Sequence, residues 1–393
     1  MTESSYTIKP EFISDRARNL PASGIRRFFE LISNIDGVIS LGVGEPDFVT
    51  PESFTKAAFD AVARGETHYT SNYGLPALRE AVSGHLEKLY GVRYDPANEI
   101  LITVGVSEGL MLALLAILNP GDELLSPDPY YVAYRPSCEI AGGTFVPVAT
   151  SMETEFRVSA QELETHLTHR SKAILLGYPS NPTGAQMTRE GLTEIADLAA
   201  RHDLFVISDE IYDRLSYGLP HTCFPSLPGM RERTVLLGGF SKAYAMTGWR
   251  VGWACAPAEL LEAMMKVHQY MIMSAPTPSQ YAALEAIQNG EEEAQRMIAE
   301  FDSRRRLFVA ALNEMGLTCF DPHGAFYAFP SVRSTGLDDI EFAERLLLEE
   351  KVAVIPGSSF GDCGRGHVRA CYAAPKPVLE DALERIRRFV GSL

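Results

Sequence analysis

Apolar residues along the chain fall into short runs separated by longer stretches of helical periodicity. Seven such runs are rich in aliphatic and β-branched residues, which is typical of buried strands. They lie at residues 100–104, 123–126, 144–148, 172–177, 204–208, 234–238 and 250–254. Helical patterns lie between most of them, at residues 108–118, 130–141 and 189–202. Strands that alternate with helices of this length predict a mostly parallel, seven-stranded, doubly wound α/β sheet.

After Pro257 the pattern changes. A long helical region covers about 260–315 with an interruption near 274–278. The tail then alternates short predicted strands with helices, a pattern typical of a smaller α+β domain. The strands lie near 325–329, 352–355 and 367–370, and the helices lie at 340–350 and 378–390. We therefore predict an N-terminal segment over 1–49 that contributes to the small domain and the active site, a large domain over 50–280, and a small domain over 281–393.

The amino-acid composition and the charge exclude several classes of function. The 393 residues are 46% hydrophobic and 22% charged, which is typical of a globular protein with a large core. The formal net charge of −16 argues against binding nucleic acid or an anionic membrane over a broad surface. The longest apolar run, 110–118, is too short to span a bilayer and predicts a buried helix. Arg304, Arg305 and Arg306 are predicted to lie on a solvated helix face.

The cysteines and the amino terminus indicate the cellular compartment of the protein. Six cysteines are scattered without CxxC spacing, so we expect reduced thiols and no metal site. The first residues, MTESSYTIKP, have no signal-peptide or presequence pattern. Together these features predict a cytoplasmic protein.

Polar residues follow several predicted strands at the points where the strands end. Asn181 follows the run at 172–177, Asp209 closes the run at 204–208, and Lys242 follows the run at 234–238. Because ligands bind at the carboxyl ends of strands in an open α/β sheet, we expect these side chains to lie close together.

Lys242 is the candidate nucleophile. A nearby cation, Arg250, and partial burial depress the pKa of a lysine and make its amine reactive toward carbonyl groups. Ser241 and Arg250 are suited to hold an anion such as a phosphate. The backbone N–H groups at the strand-to-helix turn 106–108 are available for the same anion.

Asp209 is the second candidate. A carboxylate at the end of a buried strand is costly unless it is paired, either as a helix cap or ion pair or with a ligand. It suits the protonated ring nitrogen of pyridoxal phosphate, which needs such a partner to act as an electron sink. Tyr212 and Asn181 could donate hydrogen bonds to the ring oxygen. Tyr131 could stack on the ring, with Tyr130 as its rival, and either tyrosine could instead be core.

Six motifs together resemble those of the class I/II aminotransferases, fold-type-I pyridoxal-phosphate enzymes that include aspartate and aromatic aminotransferases. They occur in family order over nearly the whole chain, and the block from Ser241 to Arg250 is the most specific. The motifs are GEPDF at 44–48, HYTSNYG at 68–74, SNPTG at 180–184, DEIY at 209–212, SKAYAMTGWR at 241–250 and HVR at 367–369.

The resemblance implies a role for the residues around the ring. Lys242 would form a Schiff base with the cofactor and then move the proton between the substrate Cα and the cofactor C4′. Asp209 would pair with the ring nitrogen, Asn181 and Tyr212 would bind the ring oxygen, and Tyr131 would stack on the ring.

It also implies how the two anionic ends are held. The phosphate would be bound by Ser241, by Arg250 and by the backbone of Val106, Ser107 and Glu108. Tyr69 would reach the phosphate of the neighbouring subunit, which implies a homodimer with shared active sites. Arg369 would bind the substrate α-carboxylate, helped by the Gly42 N–H.

The implied reaction is a ping-pong transfer of an amino group between an L-amino acid and a 2-oxo acid such as 2-oxoglutarate. Dicarboxylate-specific members usually have tryptophan where this chain has Tyr131, and an arginine in the segment that is 266–280 here, which contains none. An apolar wall from Tyr270 to Met273 therefore favours aromatic or large apolar substrates. Glutamate would need another cation, such as Arg26 or Arg27. An aspartate-type aminotransferase and a carbon–sulfur lyase of the same fold remain alternatives.

Overall fold

A seven-stranded sheet lies at the centre of the computed structural model, which describes residues 12–20 and 35–393. In order across the sheet, the strands are β2 (Ile100–Thr103), β8 (Gly252–Cys255), β7 (Thr234–Gly239), β6 (Phe205–Asp209), β5 (Ser171–Leu176), β3 (Glu123–Asp128) and β4 (Thr144–Ala149). All neighbours are parallel except β8, which runs antiparallel to β2 and β7. The mostly parallel seven-stranded sheet is thus confirmed.

Helices cover both faces of this sheet, and the alternation of side chains along a strand shows why. Ile102 and Leu125 contribute to one buried cluster, whereas Leu101 and Leu124 contribute to the cluster on the opposite face. The strands are therefore apolar at successive positions, as their continuous apolar runs predicted. The helices that surround the sheet are Glu52–Ala63, Pro76–Tyr90, Gly105–Ile117, Tyr134–Ile140, Ala160–Thr165, Arg189–Arg201, Ala258–Met271 and Thr277–Asn289.

A smaller α+β unit follows. Its three-stranded antiparallel sheet consists, in order, of β11 (Ile355–Pro356), β12 (Val368–Cys371) and β9 (Tyr327–Ala328). A separate parallel pair joins β1 (Ile39–Ser40) to β10 (Val352–Ala353), with Ile39 opposite Val352. This pairing places residues 39–40 of the N-terminal segment beside the C-terminal part of the chain. The helices are Glu291–Glu314, Asp339–Glu350 and Lys376–Gly391, and a short helix, Asp15–Arg18, lies near the amino terminus.

Among the element boundaries that differ from the sequence prediction, three lie next to predicted site residues. The helix expected from residue 108 begins earlier, at Gly105, so that residues 106–108 form its first turn. The helix expected from residue 130 begins only at Tyr134. The strand expected from Arg250 begins at Gly252, because Arg250 has a φ of 51° and a strand residue does not adopt that conformation.

The prediction that the three arginines form a solvated helix face is wrong for two of them. Arg304 and Arg305 are buried, and only Arg306 is largely exposed. Arg304 contacts Asp47 at 2.7 Å and Glu300 at 2.9 Å, so its charge is paired. A buried guanidinium is tolerated when carboxylates satisfy its donors, and this pairing could not be read from the local sequence.

Within the described ranges, no helix combines the length and the apolar character that crossing a membrane requires. All six cysteines are free thiols.

Candidate active site

A cavity of about 470 Å³ opens at the carboxyl ends of β5, β6 and β7. The predicted site residues that line it come from both halves of the chain. They are Gly42, Val106, Ser107, Tyr131, Asn181, Asp209, Tyr212, Ser241, Lys242, Arg250 and Arg369. The other two predicted residues, Glu108 and Tyr69, do not line this cleft.

Lys242 enters the cleft from the turn that follows β7. Its Nζ donates a hydrogen bond to the Gly44 carbonyl at 2.6 Å and lies 5.5 Å from the centre of the Tyr212 ring. Burial, together with the nearby cations Arg369 and Arg250, lowers the pKa of Lys242 to about 8. An amine with this pKa has a neutral, nucleophilic fraction near neutral pH.

Asp209 is the last residue of β6 and is buried. Its Oδ2 accepts a hydrogen bond from the Tyr134 hydroxyl at 2.8 Å, and its Oδ1 accepts one from the Ile211 N–H at 3.3 Å. Burial raises the pKa of Asp209 to about 6, and the Tyr134 hydrogen bond acts in the opposite direction. A buried carboxylate at a cleft is suited to a ligand group that carries a proton.

Tyr134 was not among the predicted site residues. Its hydroxyl occupies the space next to Gly177, where a Cβ atom would lie 2.3 Å from the hydroxyl oxygen. Glycine at the end of β5 therefore makes room for the contact between Tyr134 and Asp209. Nothing in the sequence indicates a role for Tyr134 beyond its place in a predicted helix.

The structure distinguishes between the two adjacent tyrosines. Tyr131 lines the cleft, and its ring meets Tyr134 edge to face at 5.6 Å between centroids. The Tyr130 ring instead packs on the Phe145 ring, with 4.7 Å between the centroids. The backbone N–H of Tyr130 donates a hydrogen bond to the Phe360 carbonyl at 2.9 Å. Tyr131 is therefore the one placed to contact a ligand in the cleft.

One end of the cleft is rich in donors for an anion. Ser241 and Arg250 lie beside the start of the helix Gly105–Ile117, whose first N–H groups have no partner within the helix. Gly105 allows this approach, because a Cβ there would lie 2.9 Å from Arg250 Nη2. Arg250 Nη1 donates to the Thr247 carbonyl at 3.0 Å, which fixes the guanidinium at the rim.

Arg369, on β12, provides a second anion site. Its guanidinium lies between the rings of Tyr327 and Phe360, at 4.7 and 4.8 Å from their centroids, and it donates to Asn181 Oδ1 at 2.8 Å. Its buried Nε has no hydrogen-bond partner among the residues described. A buried cation with an unused donor fits a carboxylate ligand.

Gly42 lies next to Arg369 at the cleft. Its carbonyl accepts a hydrogen bond from Arg369 Nη2 at 2.5 Å, whereas its N–H is directed to Ser40 Oγ at 3.4 Å. Gly42 therefore contacts Arg369 through its carbonyl group. The expected contact of its N–H is with the carboxylate of a substrate, and it stays a prediction.

Tyr212 is paired with a residue that sequence reasoning missed. Its hydroxyl lies 2.7 Å from the hydroxyl of Tyr327, on β9, and both side chains are buried. Gly44 makes space for this pair, since a Cβ there would lie 2.3 Å from the Tyr327 hydroxyl. Tyr327 was predicted only as part of a strand, because nothing in its neighbourhood in the sequence indicates a partner so far away.

The expected apolar wall does not lie at the cleft of the protomer. Tyr270 is 87% exposed, and the segment from Met271 to Met273 is also exposed, because it follows the end of the helix Ala258–Met271 at the protein surface. Tyr69 is 82% exposed. The prediction that residues 270–273 line the pocket is therefore wrong for a single chain. Arg26 and Arg27, the other predicted cations, lie outside the described residues.

The donors and acceptors of the cleft fit pyridoxal phosphate as a set. Lys242 offers an amine of lowered pKa for an aldehyde, and Asp209 offers a buried carboxylate for a ring nitrogen. The close approach of Arg250 to Gly105 forms a cradle for a phosphate, which a side chain at position 105 would fill. Arg369 remains for the carboxylate of a second molecule.

Comparison with known proteins gives matches over nearly the whole chain. The family model described as aminotransferase class I and II matches residues 36–386. A putative aminotransferase, YugH, from Bacillus subtilis is 48% identical over 96% of this chain and 98% of its own length. The aromatic-amino-acid aminotransferase 2 of Thermococcus litoralis is 43% identical, and the aspartate aminotransferase of Pyrococcus abyssi is 44% identical, each over 96% of this chain and 98% of its own length.

Solved structures resemble the fold equally well. An aromatic aminotransferase from Pyrococcus horikoshii superposes with a TM-score of 0.89 at 43% identity, over 94% of this chain and 99% of that chain. The aspartate aminotransferase from Thermus thermophilus, solved with maleate, gives a TM-score of 0.91 at 37% identity, over 96% of this chain and 99% of that chain. These neighbours confirm the prediction of fold type I.

Proposed function

The chain belongs to the class I and II aminotransferases, and we propose that it transfers an amino group between an aromatic or large apolar L-amino acid and a 2-oxo acid such as 2-oxoglutarate. Pyridoxal 5′-phosphate is the proposed cofactor. The observation that carries the proposal is the meeting of Lys242, Asp209 and Arg369 in one cleft, since each supplies a different group that the reaction needs.

The cofactor, when bound, supplies an aldehyde to accept the amino group and a ring that withdraws electrons from the substrate Cα. Lys242 would hold it through Nζ and then move the proton between the substrate Cα and the cofactor C4′. Asp209 would hold a proton on the ring nitrogen, supported by the hydroxyl of Tyr134. Tyr212 and Asn181 would bind the ring oxygen, and Tyr131 would contact the ring face.

The two anionic groups would be bound at separate places. Ser241, Arg250 and the N–H groups of Val106 and Ser107 would bind the phosphate at the helix start. Arg369 would bind the substrate α-carboxylate, and the rings on both sides of its guanidinium exclude water and strengthen that interaction.

The charges around the cleft support a substrate without a second carboxylate. Among the described residues, the cations that line the cleft are Lys242, Arg250 and Arg369. They are assigned to the cofactor aldehyde, the phosphate and the substrate α-carboxylate, respectively. Glu45 also lines the cleft, where it accepts a hydrogen bond from the Thr247 hydroxyl at 3.2 Å. A distal carboxylate would therefore meet a like charge and no further described cation.

Aspartate is the second candidate substrate, because the Pyrococcus abyssi relative at 44% identity is named an aspartate aminotransferase. The deciding experiment is a spectrophotometric screen of the twenty amino acids against the pyridoxal form of the protein. We expect Phe, Tyr, Leu or Met to give a higher kcat/KM than Asp. A value for Asp about tenfold above every apolar amino acid would instead establish the second candidate.

The same screen separates transamination from lyase chemistry. Repeated turnover of a transaminase requires an added 2-oxo acid, whereas a carbon–sulfur lyase releases pyruvate and ammonia from a cysteine-type substrate without one. Lys242→Ala serves as the inactive control. Turnover without an oxo acid would contradict the proposed reaction.

We further propose that the protein is a homodimer. Tyr69 and residues 270–273 are exposed and apolar. Asn72 Nδ2 donates to Gln269 Oε1 at 3.4 Å, and the Thr277 hydroxyl donates to the His68 carbonyl at 2.9 Å, so the two segments are connected. An exposed apolar patch of this kind is typical of a protein–protein contact.

A further inference from the structure

A buried glutamate contacts a buried histidine behind the first turn of the helix Gly105–Ile117. Glu108 Oε1 lies 2.7 Å from His268 Nδ1, and the exposed fractions of the two side chains are 7% and 0%. His268 belongs to the helix Ala258–Met271, which packs against the helix Gly105–Ile117. Burying a polar side chain without a hydrogen-bond partner costs free energy. The contact between Glu108 and His268 therefore holds the two helices in a fixed relative position.

The second oxygen of the same carboxylate reaches the start of its own helix. Glu108 Oε2 accepts a hydrogen bond from the Val104 N–H at 2.5 Å, and Val104 precedes the helix without a capping side chain. The first N–H groups of a helix have no partner within it. Glu108 therefore satisfies one N–H group at the helix start and leaves those of Val106 and Ser107 for an anion in the cleft.

The carboxylate itself is held away from the cleft. Val106, Ser107 and Leu110 line the cleft, and Glu108 does not. A carboxylate that rotated toward the cleft would repel a phosphate dianion. Hydrogen bonds at both of its oxygens oppose that rotation, and the His268 imidazole supplies one of them.

We propose that Glu108 and His268 are positioning residues for the phosphate group of the cofactor. They hold the helix start so that the N–H groups of Val106 and Ser107 meet the phosphate, and they keep the Glu108 charge away from it. The inference rests on the proposed use of pyridoxal phosphate and adds to it two side chains that do not line the cleft.

The test compares pyridoxal 5′-phosphate with pyridoxal, which lacks the phosphate, as ligands of the full-length protein freed of cofactor. Glu108→Ala and His268→Leu are each titrated with both ligands. The ratio of the pyridoxal Kd to the pyridoxal-phosphate Kd isolates the contribution of the phosphate. We expect this ratio to fall about tenfold or more in both variants, on the scale of a lost charge-assisted hydrogen bond, while the pyridoxal Kd changes by less than about twofold. The ³¹P NMR resonance of the bound phosphate should also shift.

His221→Leu is the matched control. It removes another buried histidine that contacts a glutamate, since His221 Nε2 lies 2.6 Å from Glu210 Oε2, and neither residue lines the cleft. This variant should lower the Tm and leave the ratio unchanged. Glu108→Gln keeps an acceptor oxygen for the Val104 N–H, and its amide N–H can donate to His268 Nδ1 when the imidazole proton lies on Nε2. Its ratio should therefore stay well above that of Glu108→Ala.

Each other outcome has a defined meaning. Unchanged ratios in Glu108→Ala and His268→Leu would overturn the inference, and so would an equal loss of affinity for both ligands, which indicates a merely structural role. If Glu108→Ala does not fold, the ratio measured for His268→Leu decides whether the inference holds. An unsubstituted protein that binds neither ligand would overturn the proposed cofactor instead.

Discussion

Tyr134 donates a hydrogen bond from its hydroxyl to Asp209 Oδ2 over 2.8 Å, and both side chains are buried. Burial alone raises the pKa of Asp209, whereas this hydrogen bond favours the ionised carboxylate and lowers that pKa. Tyr134 therefore stabilises the ionised form of Asp209 against the burial that favours the protonated form. That anion is what a protonated ring nitrogen requires.

Tyr134→Phe should reduce kcat roughly tenfold to a hundredfold while the protein still binds pyridoxal phosphate. The lost hydrogen bond to a charged group is worth about 1.5–3 kcal/mol, and about 1.4 kcal/mol corresponds to a factor of ten. Gly177→Ala should act in the same direction, because its Cβ would displace the Tyr134 hydroxyl. Steady-state kinetics across pH provide the measurement.

Tyr130→Phe is the control for this prediction, since it removes the neighbouring hydroxyl on a ring that packs against Phe145. It should leave kcat unchanged. A kcat for Tyr134→Phe within about twofold of the unsubstituted protein would show that Asp209 does not depend on this hydroxyl.

Asp209→Asn should retain the cofactor and lose most of the catalytic rate. A neutral amide cannot hold a proton on the ring nitrogen, and loss of such a preorganised charge costs several kcal/mol in the barrier. Single-turnover absorbance with saturating amino acid measures the step directly. Asp213→Asn, at a carboxylate that binds the Tyr90 hydroxyl at 2.7 Å, is the control. A loss of less than about tenfold (~1.4 kcal/mol) would refute the assigned role.

The capture of the cofactor aldehyde should depend on pH through Lys242. Its pKa is lowered to about 8, and only the neutral amine attacks a carbonyl. The second-order rate of pyridoxal-phosphate binding to the cofactor-free protein should therefore rise with pH and level off above a midpoint near 8. Stopped-flow absorbance measures this rate, and Lys242→Ala should abolish the absorbance change. A midpoint near the ordinary lysine value of about 10.4 would contradict the prediction.

Arg369→Lys should raise the KM for the amino acid by about tenfold or more and leave the affinity for pyridoxal phosphate unchanged. Lysine cannot make the two parallel hydrogen bonds that a guanidinium makes to a carboxylate, and it stacks poorly between Tyr327 and Phe360. Arg365→Lys, at an exposed arginine paired with Asp362, is the matched control. Equal effects of the two substitutions on KM would remove Arg369 from the substrate site.

The apolar patch formed by Tyr69 and residues 270–273 should hold two chains together. Met271→Asp introduces a charge into this patch and should convert the dimer into a monomer that has lost activity, because Tyr69 then has no partner site to complete. Sedimentation velocity measures the assembly. Leu348→Asp, at a residue that is 70% exposed elsewhere on the surface, should change neither property. A stable monomer of the unsubstituted protein with full activity would exclude the shared site.

Most of the cleft could be predicted because its residues are tied to strand ends. Asn181 follows β5, Asp209 ends β6 and Lys242 follows β7. Parallel strands bring their carboxyl ends to one edge of the sheet whatever the details of packing. Apolar runs likewise indicated each strand of the central sheet. Local sequence therefore contained both the elements and the chemical groups that belong at their ends.

Contacts between distant segments could not be predicted in this way. Tyr134 meets Asp209 across 75 positions, Tyr212 meets Tyr327 across 115, and His268 meets Glu108 across 160. No local pattern specifies such pairs, because a side chain's partner depends on how helices and domains pack after they form. By itself the sequence determined the sheet, its polar edge and the place of Lys242 at that edge. Only the tertiary structure decided which tyrosine faces the cleft and which buried groups orient the charged ones, since hydrogen bonds and burial act between neighbours in space.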